Sequence, residues 1–111
     1  MTILDRFCKY LTAIEYPKEK TSWNVAGIIK GKNNFYRFDV RDTFRWNGMP
    51  SQKGRLDTKA EKLVIETDKE WLILDIHELH KIIRQKRKKI LYIHDIINLL
   101  EWTIKLPKEP E

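Results

Sequence analysis

The sequence is poor in cysteine and lacks the motifs of common catalytic loops. Cys8 is the single cysteine among 111 residues, so the chain cannot form an intramolecular disulfide. Only four glycines are present, and neither a glycine-rich phosphate loop nor a G-x-S-x-G elbow occurs. These absences exclude a disulfide scaffold and argue against P-loop nucleotide hydrolysis and against a serine hydrolase of that type.

Long apolar runs are also absent. No uninterrupted apolar stretch approaches the roughly 18–20 residues that a membrane-spanning helix needs. Asp5, Arg6 and Lys9 interrupt the N-terminal apolar residues too early for a signal peptide. We therefore expect an intracellular, cytoplasmic protein with no membrane partner.

The composition is that of a folded chain with a strongly charged surface. Hydrophobic residues make up 41% and charged residues 34%, and the net charge is +6. This length and balance predict one domain over residues 1–106, followed by a flexible tail at 107–111. The positive excess favours polyanionic partners.

The first part of the chain predicts a helix followed by two hairpins. Apolar residues recur at spacings of three and four over 2–15, with Thr2 and Asp5 as a capping pair. Strand patterns then run from Trp23 to Trp46 around the turn sequence GKNN, and from 61 to 76 with a turn at Asp68-Lys69. The first segment is therefore predicted as one helix, and the next two as β-hairpins.

The C-terminal part predicts further helix. Asp75 and Glu78 have capping-box spacing, so a helix is predicted to start near Ile76. A heptad-like stripe follows, and its members are Leu79, Ile82, Lys86, Ile90, Ile93, Ile97, Leu100 and Ile104. One long helix over 77–105 and two shorter helices both fit this stripe.

The predicted fold class is therefore α+β. It has an antiparallel sheet of about four strands in two hairpins, one N-terminal helix, and one long or two shorter C-terminal helices.

The stretch FYRFDVRDTFRW at 35–46 carries the first candidate binding surface. Alternate residues of a strand share a face, which places Phe35 with Arg37, Arg41 and Arg45. Guanidinium groups pair with phosphates and aromatic rings stack on bases. Trp46, Lys53 and Arg55 extend this surface, as do Lys30 and Lys32 in the turn before it. The alternative is a solvated sheet face with local ion pairs of little energetic weight, and a Trp46 that packs in the core.

The run RQKRKK at 84–89 is a second basic cluster. Its basic residues are Arg84, Lys86, Arg87, Lys88 and Lys89. Such a run can follow a phosphate backbone, and each neutralised phosphate steepens the salt dependence of binding. An ordinary helix surface and a targeting signal are the alternatives.

Catalytic and metal-binding patterns are weak. His77 and His80 are three residues apart, but His94 is the only other histidine, so no metal site is predicted. Cys8 lies on the apolar side of the predicted first helix, which indicates a packed thiol. Carboxylates at Asp39, Asp42, Glu66 and Asp68 fit a metal-dependent nuclease only through unspecific spacing. No catalytic residue and no cofactor are predicted.

One part of the sequence resembles a known family. GKNNFYRFDVRDTFRWNGMPSQKGRL, followed by LDIHELHKII, is similar to the transcriptional-coactivator family of single-stranded DNA-binding proteins. The resemblance implies a curved antiparallel sheet with basic and aromatic residues, followed by a dimerising helix. The chain departs from that family by its extra hairpin at 61–74 and by helices at both ends, and no residue role is carried over.

These patterns favour a small non-catalytic nucleic-acid-binding protein, with single-stranded DNA or RNA preferred over duplex and with a homodimer as the assembly. The main alternative is a protein-interaction module, an adaptor or an inhibitor of a larger nucleic-acid enzyme, that uses the same basic face or the apolar stripe. A metal-dependent nuclease is the third.

Overall fold

The computed structural model describes residues 2–42, 59–86 and 97–108. Within these ranges the strands form one six-stranded sheet in which they lie in chain order. The strands are β1 (Leu11–Glu15), β2 (Val25–Ile29), β3 (Phe35–Asp42), β4 (Lys62–Glu66), β5 (Glu70–Asp75) and β6 (Thr103–Pro107). The helices are α1 (Ile3–Cys8) and α2 (Ile76–Lys86), with a 3-10 turn at Ile97–Leu99.

Both predicted hairpins are present, but the predicted antiparallel four-stranded sheet is wrong. β2 pairs with β3 and β4 pairs with β5, each antiparallel, as the turn sequences indicate. β3 and β4, however, run parallel, with Phe38 opposite Lys62. The sheet is therefore mixed. A strand pattern in the sequence identifies a strand but not the direction in which its neighbour runs.

The N-terminal helix is shorter than predicted. Thr2 Oγ1 accepts a hydrogen bond from the Asp5 amide at 3.1 Å, and the Asp5 carboxylate accepts one from the Thr2 amide at 3.3 Å, so the predicted capping pair is confirmed. The helix ends at Cys8, and Leu11–Glu15 forms β1, so the helix over 2–15 is wrong. Pairing with β2 outweighs the helical spacing of the apolar residues, since a short isolated helix is only marginally stable.

The prediction that helix extends to residue 105 is also wrong. α2 begins at Ile76 as predicted, and the Asp75 carboxylate accepts a hydrogen bond from the Glu78 amide. The later part of the stripe is not helical, because Thr103–Pro107 is a strand in which Ile104 lies opposite Ile73 of β5. Residues 87–96 lie outside the described ranges. β6 satisfies the backbone hydrogen-bonding groups along the edge of β5, and the periodicity of the sequence does not reveal this pairing.

No helix in the described part of the chain is long and apolar enough to cross a membrane. At the C-terminal end, Pro107 is the last residue of β6, and the Lys108 amide donates to the Lys69 carbonyl at 3.0 Å.

Each face of the sheet carries its own apolar cluster. The cluster on the α1 face includes Phe7, Phe38, Val64 and Trp71, and the cluster on the α2 face includes Leu63, Ile65, Leu74, Leu79 and Ile82. Trp71 is only 1% exposed, and its ring centre lies 5.4 Å from that of Phe7. Because both faces of β4 and β5 are covered, these strands are nearly continuous apolar runs rather than alternating ones.

Gly27 of β2 lies close to the backbone of β1. A Cβ atom at this position would lie 2.9 Å from the Thr12 carbonyl oxygen and 3.4 Å from Leu11 Cβ. We expect Gly27→Ala to lower the free energy of unfolding by about 1–3 kcal/mol, because the backbone of β1 must shift. Urea denaturation followed by circular dichroism measures this, with Lys30→Ala at an exposed position as control. An unchanged midpoint for Gly27→Ala would contradict the β1–β2 packing.

Glu66 joins the two ends of the described chain. Its carboxylate lies 2.8 Å from Arg6 Nη2 and 3.2 Å from Lys108 Nζ. Partial burial opposes ionisation, but hydrogen bonds and charge from Arg6 and Lys108 together lower the pKa of Glu66 below its ordinary value. A lowered pKa in the folded state stabilises the fold above the ordinary pKa, and that stabilisation is lost as the pH falls through the folded value.

We therefore expect Glu66→Gln to be less stable than the wild type at neutral pH, with a difference that shrinks as the pH falls below about 4.3, the ordinary pKa of a glutamate. Thermal unfolding from pH 3 to pH 7 checks this. Glu19→Gln, at an exposed residue of the 16–22 connector, controls for the loss of one negative charge. A Glu66→Gln difference that does not change with pH would show that the ion pairs do not contribute.

Candidate functional site

The part of the predicted strand surface that the structure describes lies on a regular strand. β3 pairs with β2 and β4 without a shift of register from Phe35 to Asp42. Alternation along this regular strand therefore places Phe35, Arg37 and Arg41 on one face of the sheet. The sequence thus locates these three residues correctly relative to one another.

The two arginines have different environments. Arg41 donates to both carboxylate oxygens of Asp39, from Nε at 3.1 Å and Nη2 at 2.8 Å, and Asp39 is only 4% exposed. Arg37 Nε lies 3.3 Å from Glu61 Oε1, and both side chains are about half exposed. The bidentate pair holds Arg41 firmly, whereas a solvated single contact binds Arg37 weakly. Of these two arginines, Arg37 is the more accessible to a ligand.

The turn between β2 and β3 adds further basic residues. Lys30 and Lys32 are exposed in this turn, and Gly31 between them has φ +86°, which a glycine adopts without strain. Phe35, the first residue of β3, is 43% exposed. We call Lys30, Lys32, Phe35 and Arg37 the hairpin surface.

The other predicted binding residues lie either on α2 or outside the described part of the chain. Arg84 is exposed on α2, and Lys86 is the last residue of that helix. Seven others lie outside the described residues: Arg45, Trp46, Lys53, Arg55, Arg87, Lys88 and Lys89.

A second site, which the sequence did not predict, surrounds a buried lysine. Lys62 is 7% exposed, and its Nζ lies 2.9 Å from Asp75 Oδ1. The same ammonium group lies 3.7 Å from the centre of the Trp102 ring and 4.7 Å from that of Tyr36. A buried ammonium is costly unless it is paired, and here one carboxylate and two aromatic faces compensate for its lost water. We call these four residues the Lys62 cage.

The cage is held together through α2. Asp75 is the last residue of β5, and its second carboxylate oxygen caps the helix by accepting from the Glu78 amide at 3.2 Å. The Glu78 carboxylate accepts from the amides of Glu101 and Trp102, each at 2.8 Å. These bonds fix the chain just before β6 and therefore place the Trp102 ring over Lys62.

A pocket of about 380 Å³ opens beside the cage. It is lined by Tyr36, Ala60, Glu61, Lys62, Asp75, Ile76, His77 and His80. Both carboxylates in its wall already have cationic partners, since Asp75 pairs with Lys62 and Glu61 with Arg37. Neither acidic side chain of the lining is therefore left without a cationic partner.

Two of the carboxylates considered for a nuclease are held by cationic partners. Asp39 pairs with Arg41, and Glu66 pairs with Arg6 and Lys108. In the part of the chain that the structure describes, no three histidine, cysteine or acidic side chains are placed to hold a metal ion.

Sequence reasoning missed Lys62 because a charged residue at the start of an apolar strand usually lies at its solvated end. The available signal was its position two residues before Val64, which places both side chains on the same face of β4. His77 and His80 were noticed for their spacing alone. Their place beside Lys62 depends on contacts between distant parts of the chain.

Comparisons with protein families, with curated protein sequences and with solved structures find no match. The resemblance to the coactivator family is therefore not extended, and the function is argued from the geometry of this chain.

The Lys62–Asp75 pair provides a test of the cage. We expect Lys62→Met to lower the free energy of unfolding by about 2–4 kcal/mol, because the Asp75 carboxylate loses its partner. The cost stays below that of a fully buried pair, because 23% of the Asp75 side chain is exposed. Urea denaturation measures the change.

The double variant Lys62→Met/Asp75→Asn is the matched control. Asparagine still caps a helix but carries no charge, so we expect this variant to be more stable than Lys62→Met alone. If the second substitution restores nothing, the unpaired carboxylate is not the source of the loss.

Proposed function

We propose that this protein binds single-stranded nucleic acid without catalysis, through the hairpin surface. The observation that carries the proposal is the half-exposed Phe35 ring beside the weakly paired Arg37, with Lys30 and Lys32 exposed in the adjoining turn. An accessible ring next to accessible cations is the combination that single-strand-binding surfaces use.

The spacing of the two groups on β3 suits one nucleotide. Residues two apart on a strand lie roughly 6.5 Å apart on the same face. A base stacked on Phe35 therefore leaves its phosphate within reach of the Arg37 guanidinium. Lys30 and Lys32 add charge on the side of the turn, where they neutralise neighbouring phosphates.

The exposed ring favours a single strand over a duplex. Stacking needs the open face of a base, and in a duplex the neighbouring base pairs already cover both faces. The net charge of +6 supports attraction to either form, so the preference comes from Phe35 and not from charge. Arg41 is excluded from direct binding in this proposal because Asp39 occupies its guanidinium.

Fluorescence anisotropy with labelled single-stranded and duplex 12-mers at two salt concentrations tests the proposal. We expect Phe35→Ala to weaken single-strand binding roughly 5- to 150-fold, which corresponds to about 1–3 kcal/mol for one stacked base, with an unchanged salt slope. We expect Lys32→Ala to reduce the slope of log K against log salt by about 0.7, the value for one lost phosphate contact.

Lys20→Ala is the charge-matched control, because Lys20 is exposed in the connector that enters β2 at the end remote from the hairpin turn. An equal loss for Lys20→Ala and Lys32→Ala would indicate non-specific attraction. The absence of any binding at micromolar protein and low salt would overturn the proposal and favour a protein-interaction role for the same surface.

A further inference from the structure

The pocket beside the Lys62 cage is not used by the hairpin surface, yet the two adjoin. Because β3 and β4 run parallel, their first residues lie at the same end of the sheet, and the antiparallel β5 ends there too. Glu61 makes the connection, since its carboxylate accepts from the Arg37 amide at 3.1 Å and also lines the pocket. Tyr36 forms another part of the wall, and its side chain lies on the face of β3 opposite to those of Phe35 and Arg37.

We propose that this pocket binds a single nucleobase that carries an exocyclic amino group. The inference rests on the proposed function only for the source of the base, which is a strand bound to the hairpin surface. The pocket itself binds a free nucleoside by the same contacts.

The size of the pocket fits one such unit. Ligand pockets range over about 300–1,000 Å³, and the present volume of about 380 Å³ lies near the lower limit. This space accommodates one planar base with part of its sugar.

The balance of charge favours a neutral ligand. Asp75 pairs with Lys62 in the wall and Glu61 pairs with Arg37 beside it, so neither carboxylate is left unpaired to attract an isolated cation. Among the described residues, no group suited to a metal ion is present either. What remains is a wall with hydrogen-bonding groups at Glu61 and His77 and an aromatic side chain at Tyr36.

The lining also indicates which base edge is recognised. A carboxylate accepts hydrogen bonds and cannot donate them when ionised, so Glu61 pairs with an amino group and repels a carbonyl oxygen. Cytosine, adenine and guanine carry an amino group, whereas uracil and thymine present carbonyl oxygens instead. Cytidine and uridine therefore form a matched pair of probes: cytosine presents an amino group at C4 and an acceptor at N3, whereas uracil presents a carbonyl oxygen at C4 and an N–H at N3.

Nuclear magnetic resonance titration of the full chain with each nucleoside tests the pocket. We expect cytidine to shift the amide resonances of Glu61, His77 and His80, and to bind roughly tenfold more tightly than uridine. Glu61→Gln should remove this preference, because an amide both donates and accepts. His77→Ala should weaken cytidine binding, whereas Gln85→Ala, exposed on the same helix but outside the pocket, should not.

Anisotropy with a labelled oligo-dC and oligo-dU of equal length separates the two proposals. Tighter binding of oligo-dC, lost in Glu61→Gln, supports the pocket. Equal binding of both strands, without cytidine shifts at the pocket, overturns the pocket while the hairpin surface keeps its function. Cytidine binding at the pocket without binding of any strand supports the pocket and overturns the hairpin surface instead.

Discussion

The ion pair between Lys62 and Asp75 is the interaction on which one end of this molecule depends. Asp75 is at once the partner of a buried ammonium and the N-cap of α2, so one carboxylate fixes both β4 and the start of the helix. Glu78 then holds the backbone at Trp102, whose ring covers the same ammonium. The buried Lys62 ammonium therefore links β4, the start of α2 and the segment that enters β6. Its burial is favourable only while all of these partners are present.

Pairing with carboxylates also determines which cationic side chains remain available to a ligand. Arg41 pairs with the buried Asp39, and Lys62 pairs with Asp75, which also caps α2. The charges of Arg41 and Lys62 therefore stabilise the fold. Arg37 has a solvated partner, and Lys30 and Lys32 are exposed in the turn. Net charge alone does not separate these groups. Burial of the carboxylate partner distinguishes them, because a carboxylate removed from water binds its cation far more tightly than an exposed one.

Signals that act over a few residues were predicted well from the sequence. The Thr2–Asp5 capping pair, the start of α2 at Ile76 and the turns of both hairpins depend on neighbouring residues and are all present. The shared face of Phe35, Arg37 and Arg41 follows from the alternation of a strand in the same way. Leu11–Glu15 and residues 103–105 were predicted as helix and lie in strands, because their partners lie elsewhere in the chain.

The sequence by itself therefore determined the caps, the turns and the face that each residue of β3 occupies, since these follow from covalent neighbours. Only the tertiary structure decided that β3 and β4 run parallel, and that Lys62 meets Asp75, Tyr36 and Trp102. These contacts join residues up to 40 positions apart in the chain. Two effects favour these long-range contacts: backbone pairing at strand edges and the need to compensate a buried ammonium group. Neither effect leaves a pattern among neighbouring residues of the sequence.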